Sequence, residues 1–453
     1  MKKYRETDRR ILRILIPVIM ENALLTLSTM VLSGFIGRMT VTAISAYGIS
    51  RRIYSLYYAV FKGMAVGTMI AAARCFGKGE RKECARIQMS SYTVILPLSC
   101  LTAVLIYIFA EPLLSLMTND AELLSEGVKL LRMTAPCYPL IAAVHVNAAA
   151  FQATGNTRTP LIIAATGNLV TISLGYFLIF GAGKFGGFGI TGAAVSQNIA
   201  FLFMALFGIY LLYGRHGLYT GDKEKSLILP SLKEMREVIS VGLPASFEDS
   251  LWQMATILIS SVILSYGQQY YAGFQLGLEA EGFCDMMVSG FMTAAMSIAA
   301  NAIGAADQKA YRTCFRRLHQ FCLLFSMITT LYLMFGSKLV LSMMTDKPEL
   351  ITIAGSYLFL MIFSQYPSQM RQVTGGYLRA SGYTNISMII NIIGLWCVRV
   401  PLIVICGKVL KADISFVWWV FNIDQWIRLG LYMFCMHHFH IMNEAAALKE
   451  KYL

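Results

Sequence analysis

Glu281 and Asp285 stand four residues apart in the apolar run GLEAEGFCDMMVSG and share one face of a helix. Glu279 lies just off that face. Two carboxylates so close in a low dielectric suit proton exchange near neutral pH, or hold a cation through their oxygens. A charge at the centre of a membrane helix costs about 2.5 kcal/mol or more, so it faces a cavity or a partner. The plainer reading is that both acids pair with bases on neighbouring helices. A shift of 227 residues carries Glu281 and Asp285 onto Tyr54 and Tyr58. Arg51, Tyr54, Tyr58 and Lys62 fall on one helical face, with Arg52 beside them. One cavity wall is therefore expected to be basic and aromatic, the other acidic. The walls either pair across a cleft in one state and part in another, or they bind different ligands. A lone lysine such as Lys62 is more often snorkelling or paired than a ligand.

Other charges sit in apolar surroundings. Glu21 and the Glu248-Asp249 pair follow Pro17 and Pro244 by one turn. A proline frees a carbonyl that nearby polar groups satisfy, so capping or gate contacts are the plain reading and cation coupling the sharper one. Asp424 and Arg428, four apart, make a favourable pair within one helix. Arg399, beside Pro401, is expected to bond freed carbonyls, and Arg371 to snorkel. Tyr138, Tyr176, Trp252, Phe283 and Trp396 are apolar-span aromatics that can line a cavity for flat cations, although packing is the commoner role.

The elements that position these residues are membrane helices. The chain has 453 residues, 57% hydrophobic and 14% charged, against about 25% charged in soluble domains. That excludes a soluble enzyme as the first reading, and also a disordered or collagen-like chain. Twelve apolar runs are long enough to span: 14–36, 46–72, 88–110, 124–149, 159–180, 190–213, 238–265, 270–300, 313–336, 350–376, 384–406 and 413–436. The first is read as an uncleaved span, because no small-residue cleavage site follows it. Of the Lys and Arg residues, 24 fall on one side and 8 on the other. The positive-inside rule then puts both termini in the cytoplasm of a multi-pass cell-membrane protein. Lipid headgroups, not nucleic acid, account for the net charge of +13. The ten cysteines are scattered and read as buried thiols.

The 227-residue shift aligns the chain with itself. Pro17 meets Pro244, Glu21 meets Glu248, Gly77 meets Gly304, and FQATGNT from Phe151 meets LRASGYT from Leu378. Each half holds six spans, so the halves insert with the same orientation and enclose a site that opens to alternate sides. The boundaries read from sequence are 1–213 for the N-lobe, 214–237 for a cytoplasmic linker, 238–436 for the C-lobe and 437–453 for a tail. The fold class is thus all-α integral membrane, with twelve transmembrane helices in two pseudo-symmetric six-helix lobes.

These motifs resemble the multidrug and toxic compound extrusion (MATE) family over nearly the whole chain. The resemblance rests on Pro17 with FIGRM at 35–39, IAAARCFGKGER at 70–81 and IAANAIGAADQKA at 298–310. FQATGNTRTP at 151–160, GITGAAVSQ at 189–197 and RVP at 399–401 complete it. It implies export driven by inward Na+ or H+ flow, with no other cofactor. Family members place an Asp in the first span, where this chain has Leu32. Many have an Asn and an Asp in the fifth, where it has Thr171 and Gly175. Some have a Glu in the seventh, where it has Trp252, and an Asp in the tenth, where it has Ser368. The usual cation sites are therefore neutral, and coupling is expected to rest on Glu281 and Asp285, with Glu279, Glu248 and Glu21 behind them. Arg51, Arg52, Tyr54, Tyr58, Lys62, Asp249 and Trp252 are the expected substrate-cavity residues.

The expected activity is antiport of amphipathic, cationic organic compounds by a monomer in contact with membrane lipid. The alternative is a flippase for a lipid-linked or polyanionic precursor. An embedded enzyme lacks a nucleophile with a base, since His145 is the only histidine well inside a span. A channel explains the twofold repeat poorly. GAGKFG at 181–186 matches a dinucleotide fingerprint but sits in a turn between membrane helices. HHFH at 437–440 reads as an interfacial cluster, with no metal site. No Walker motif points to ATP.

Overall fold

The computed structural model describes residues 2–115, 117–118, 120–182, 185–215, 217–219 and 229–442. Most of the expected linker, the tail beyond 442, and Gly183 with Lys184 lie outside these. Twelve helical rods follow in order. The first six are Lys2–Ile36, Val41–Lys78, Arg81–Ile108, Ala121–Thr134 continuing as Cys137–Ala153, Arg158–Phe180 and Ile190–Tyr213. The second six are Leu232–Leu264, Gln268–Gly304, Gln308–Met344, Pro348–Ala380, Thr384–Val409 and Ile414–His438. Among the described residues, nine helices are long and apolar enough to cross a membrane by length and composition. The fourth, seventh and twelfth are not among the nine; the fourth is broken at Ala135-Pro136, and the other two carry Glu248, Asp249, Asp424 and Arg428. GAGKFG turns as a minimal hairpin, Gly181 pairing with Gly186 and Ala182 with Phe185.

The sequence repeat is also a repeat of local structure. Val41–Lys78 recurs as Gln268–Gly304, and Ala121–Thr134 as Pro348–Met361, at the same offset. The shared turn FQATGNT/LRASGYT is explained by backbone geometry. Gly155 (φ +77°) and Gly382 (φ +96°) close the fourth and tenth helices in the left-handed region, where a side chain is strained. Helix starts are capped by side chains. Asp120 accepts from the amides of Glu122 and Leu123 at 3.0 and 3.2 Å, and Asp307 from that of Ala310 at 2.8 Å.

The chain divides into two compact units, Met20–Ser246 (the N unit) and Met1–Ile19 with Phe247–Leu453 (the C unit). Each change of unit falls three residues after a helix-interior proline, Pro17 or Pro244. Proline removes one backbone hydrogen bond and kinks the helix, so the segments on its two sides can pack in different bundles.

In the C unit, the core that matters for the acids is aromatic. Phe274 stacks on Trp418 at 5.4 Å, and Tyr357 meets Trp418 edge-on at 5.1 Å. Gly277 lets this cluster reach the eighth helix: a Cβ there would meet Tyr357 Cδ1 at 2.6 Å. One turn further along stands Glu281. Replacing Gly277 by Val should therefore displace the Tyr357 ring and cost about 1–3 kcal/mol, as overpacking does. Gly282, with nothing within 4 Å of its added Cβ, should tolerate Ala without loss. Thermal unfolding of the two variants in detergent checks both outcomes.

Candidate functional site

The C unit concentrates buried charge on its seventh, eighth, tenth, eleventh and twelfth helices. Glu248 is held by Arg379, whose Nη2 donates to both carboxylate oxygens at 2.8 Å, and by Asn391 Nδ2 at 2.8 Å. Asn391 also donates to Tyr432 Oη at 2.7 Å and accepts from Arg371 Nη1 at 3.0 Å. Arg371 further donates to Gln425 at 3.1 Å. Asp424 is fully buried and accepts from two guanidinium groups, Arg399 at 2.6 Å and Arg428. The Arg399 guanidinium lies 5.2 Å from the Trp252 ring centre and 4.7 Å from that of Phe421. Arg428 lies 5.8 Å from Trp252.

These contacts correct three expectations. Arg399 pairs with Asp424 instead of capping freed carbonyls. Arg371 is buried in the polar network and does not snorkel. The Asp424–Arg428 pair forms, but Arg399 makes it a triad. Trp252 meets the guanidinium groups of Arg399 and Arg428 through its ring face.

The eighth helix places its three acids differently. Glu281 is half-buried and accepts a hydrogen bond from Tyr357 Oη at 2.5 Å. Asp285 is exposed, yet close enough for the charges of Arg371 and Arg399 to act on it. Neither enters an ion pair within 4.0 Å among the described residues. Glu279 is exposed, two residues from Glu281 and so turned well away from it around the helix. Asp249 is half-buried, and its charge reaches Arg379.

The N unit contains a cavity of about 280 Å³. Glu21, Arg51, Tyr54 and Tyr58 line it, with His145 and Asn168. Tyr54 and Tyr58 stack at 6.1 Å, and Tyr58 meets His145 edge-on at 4.6 Å. Glu21 Oε2 and Asn168 Nδ2 are buried without a hydrogen-bond partner among the described residues. Lys62 is half-buried, and its charge acts on both Glu21 and His145. Arg52, one residue from Arg51 and about 100° round the helix, is exposed and does not line the cavity. Leu32 and Thr171 line it with apolar and hydroxyl surface. Tyr138 is buried against Tyr57 at 4.3 Å, and Tyr176 and Phe283 are exposed, so these aromatics pack outside the cavity lining. His145 and Asn168 add polar lining; read from sequence, Asn168 is an interhelical hydrogen-bonding residue and His145 a lone histidine inside a span. The signal available for both was a polar group inside an apolar span.

The profile of the MatE family matches residues 17–177 and 244–405, one match in each repeat. The "Probable multidrug resistance protein NorM" of Thermotoga maritima is 24% identical over 420 residues, 91% of this chain and 88% of its own. A crystal structure of a MATE protein in complex with MaL6 superposes with a TM-score of 0.89 at 17% identity, covering 97% of each chain. A MOP superfamily transporter of Pyrococcus furiosus, described as having a binding pocket of reverse polarity, gives 0.86 at 19% identity over 96% of each.

Removing one partner from a buried ion pair strands the others at about 3–5 kcal/mol. Asp424→Asn should therefore lose most of the folded protein's thermal stability, because it strands two arginines. Glu279→Gln should change it by less than about 0.5 kcal/mol. Unfolding curves of the two variants in one detergent test the contrast.

Proposed function

Because this chain belongs to the MatE family and is a multi-pass membrane transporter, we propose that it is a secondary antiporter exporting amphipathic organic compounds. It works as a monomer with both termini cytoplasmic, and its two six-helix halves give alternating access. Inward flow of Na+ or H+ drives it. The observation that carries this reading is the division among the acids of the C unit. Glu248 and Asp424 are held by guanidinium groups, while Glu281 and Asp285 form no ion pair among the described residues. Acids in an apolar bundle that stay without a fixed counter-ion are suited to take up and release a cation. Glu21, in the N-unit cavity, is a third acid outside any ion pair among the described residues, although the charge of Lys62 acts on it. Glu248, clamped by Arg379, is better suited to hold the bundle than to exchange an ion.

The cavity of about 280 Å³ is at the small end for ligand pockets. That supports a compact amphiphile over the lipid-linked precursor of the flippase reading. Cargo charge separates the cationic reading, served by Glu21, from an anionic one, served by Arg51; Lys62, expected to line the cavity, does not.

Reconstituted vesicles loaded with aromatic dyes of either charge test the proposal. An imposed Na+ or H+ gradient should accelerate efflux of at least one dye, and the ion that does so is the coupling ion. The double variant Glu281→Gln with Asp285→Asn should lose that acceleration by at least about tenfold while unfolding within a few degrees of wild type. Wild-type transport by the double variant would remove the assignment.

A further inference from the structure

We infer that the N-unit cavity selects aromatic anions, with the acidic group of the ligand at Arg51 and its ring against Tyr54 and Tyr58. The inference rests on the transporter reading only in treating the cavity as the cargo site. Positive charge outweighs negative charge in and around this cavity. Glu21 brings the one carboxylate to the cavity lining. Lys62, outside the lining, is near enough for its charge to act on Glu21, so two cations and one acid set the charge in and around the cavity. Arg51 is left over. Its Nη1 donates to Ser33 Oγ at 3.3 Å, and no carboxylate lies within ion-pair distance among the described residues. Arg51 precedes Lys62 by eleven residues, about 16 Å along the helix, so the excess charge lies at the far end from Glu21.

A cationic ligand at Glu21 would meet the charge of Lys62 as well as that of Arg51. An anion at Arg51 displaces nothing and gains a charge-assisted hydrogen bond from a planar fork suited to carboxylate, sulfonate or phosphate. Between the two ends stand Tyr54 and Tyr58, stacked 6.1 Å apart. They offer an aromatic platform without charge. Asn168 Nδ2, buried and unpartnered, supplies a further donor for an acceptor on the ring system. Leu32 and Thr171 add no charge to the lining. The volume of about 280 Å³ suits two or three fused rings.

Equilibrium binding to the full-length protein in phosphatidylcholine nanodiscs tests this with two probes of equal ring size, 2-naphthalenesulfonate and 2-naphthyltrimethylammonium. The sulfonate should bind at least about tenfold more tightly. Arg51→Gln should remove that preference, Arg51→Lys should keep most of it, and Lys129→Gln, an exposed cation outside the lining, should leave it unchanged. Matching unfolding temperatures confirm that the variants are folded. Tighter binding of the ammonium probe, no binding of either probe, or an unchanged preference in Arg51→Gln overturns the inference. Competition by added phosphatidylglycerol would assign Arg51 to a lipid headgroup and also overturn it. The outcomes are independent of the transport reading. Gradient-driven efflux of a cationic dye without sulfonate binding leaves the antiporter standing and this inference fallen. Sulfonate binding without any gradient-driven transport does the reverse.

Discussion

The expense of leaving a charge unneutralised among apolar helices governs this protein. A solitary ion in such a setting costs several kcal/mol, and each ion must find a counter-charge, a dipole or water. The C unit meets that demand with side chains far apart in sequence. Glu248 is clamped by Arg379 across 131 residues of chain, and Asp424 joins Arg399 to Arg428. Trp252 and Phe421 add ring faces to the same guanidinium group. Once those pairs are made, Glu281 keeps, among the described residues, a tyrosine hydroxyl, and Asp285 feels the charges of Arg371 and Arg399 without an ion pair. The unspent acids are a product of the pairing of the rest.

The N unit solves the same problem differently. Apart from the Arg74–Glu237 pair at 3.3 Å, charges here border an open space, and the acid there feels the charge of a nearby lysine. The two units repeat each other in helix lengths and turn geometry, down to the left-handed glycines at 155 and 382. They differ in what the repeated positions carry. Tyr54 and Tyr58 stand in one unit where Glu281 and Asp285 stand in the other. A duplicated scaffold with divergent linings permits cargo and driving ion to be handled by separate halves.

Much of this was legible in the chain itself. Long apolar runs fixed the twelve helices, since a backbone in lipid must satisfy its own hydrogen bonds. The constant 227-residue offset revealed the repeat, because capping and kinking residues recur wherever the backbone demands them. The pair Asp424–Arg428 was readable from its spacing within one helix. Partners on other helices were not: nothing local to Arg399 or Arg371 points to Asp424 or Gln425. Nor did proximity in sequence settle direction. Arg51 lines the cavity and Arg52 does not, because one residue is a rotation of about 100° on a helix.

The central claim is that Glu281 and Asp285 are the carboxyl groups that take up the coupling cation. Infrared difference spectroscopy of the reconstituted protein, stepped in Na+ concentration and separately in pH, observes carboxyl groups directly. The account predicts a carboxyl band change with one of the two ions that disappears in the Glu281→Gln, Asp285→Asn protein and survives in Glu279→Gln. An identical band change in the protein lacking both acids would contradict it.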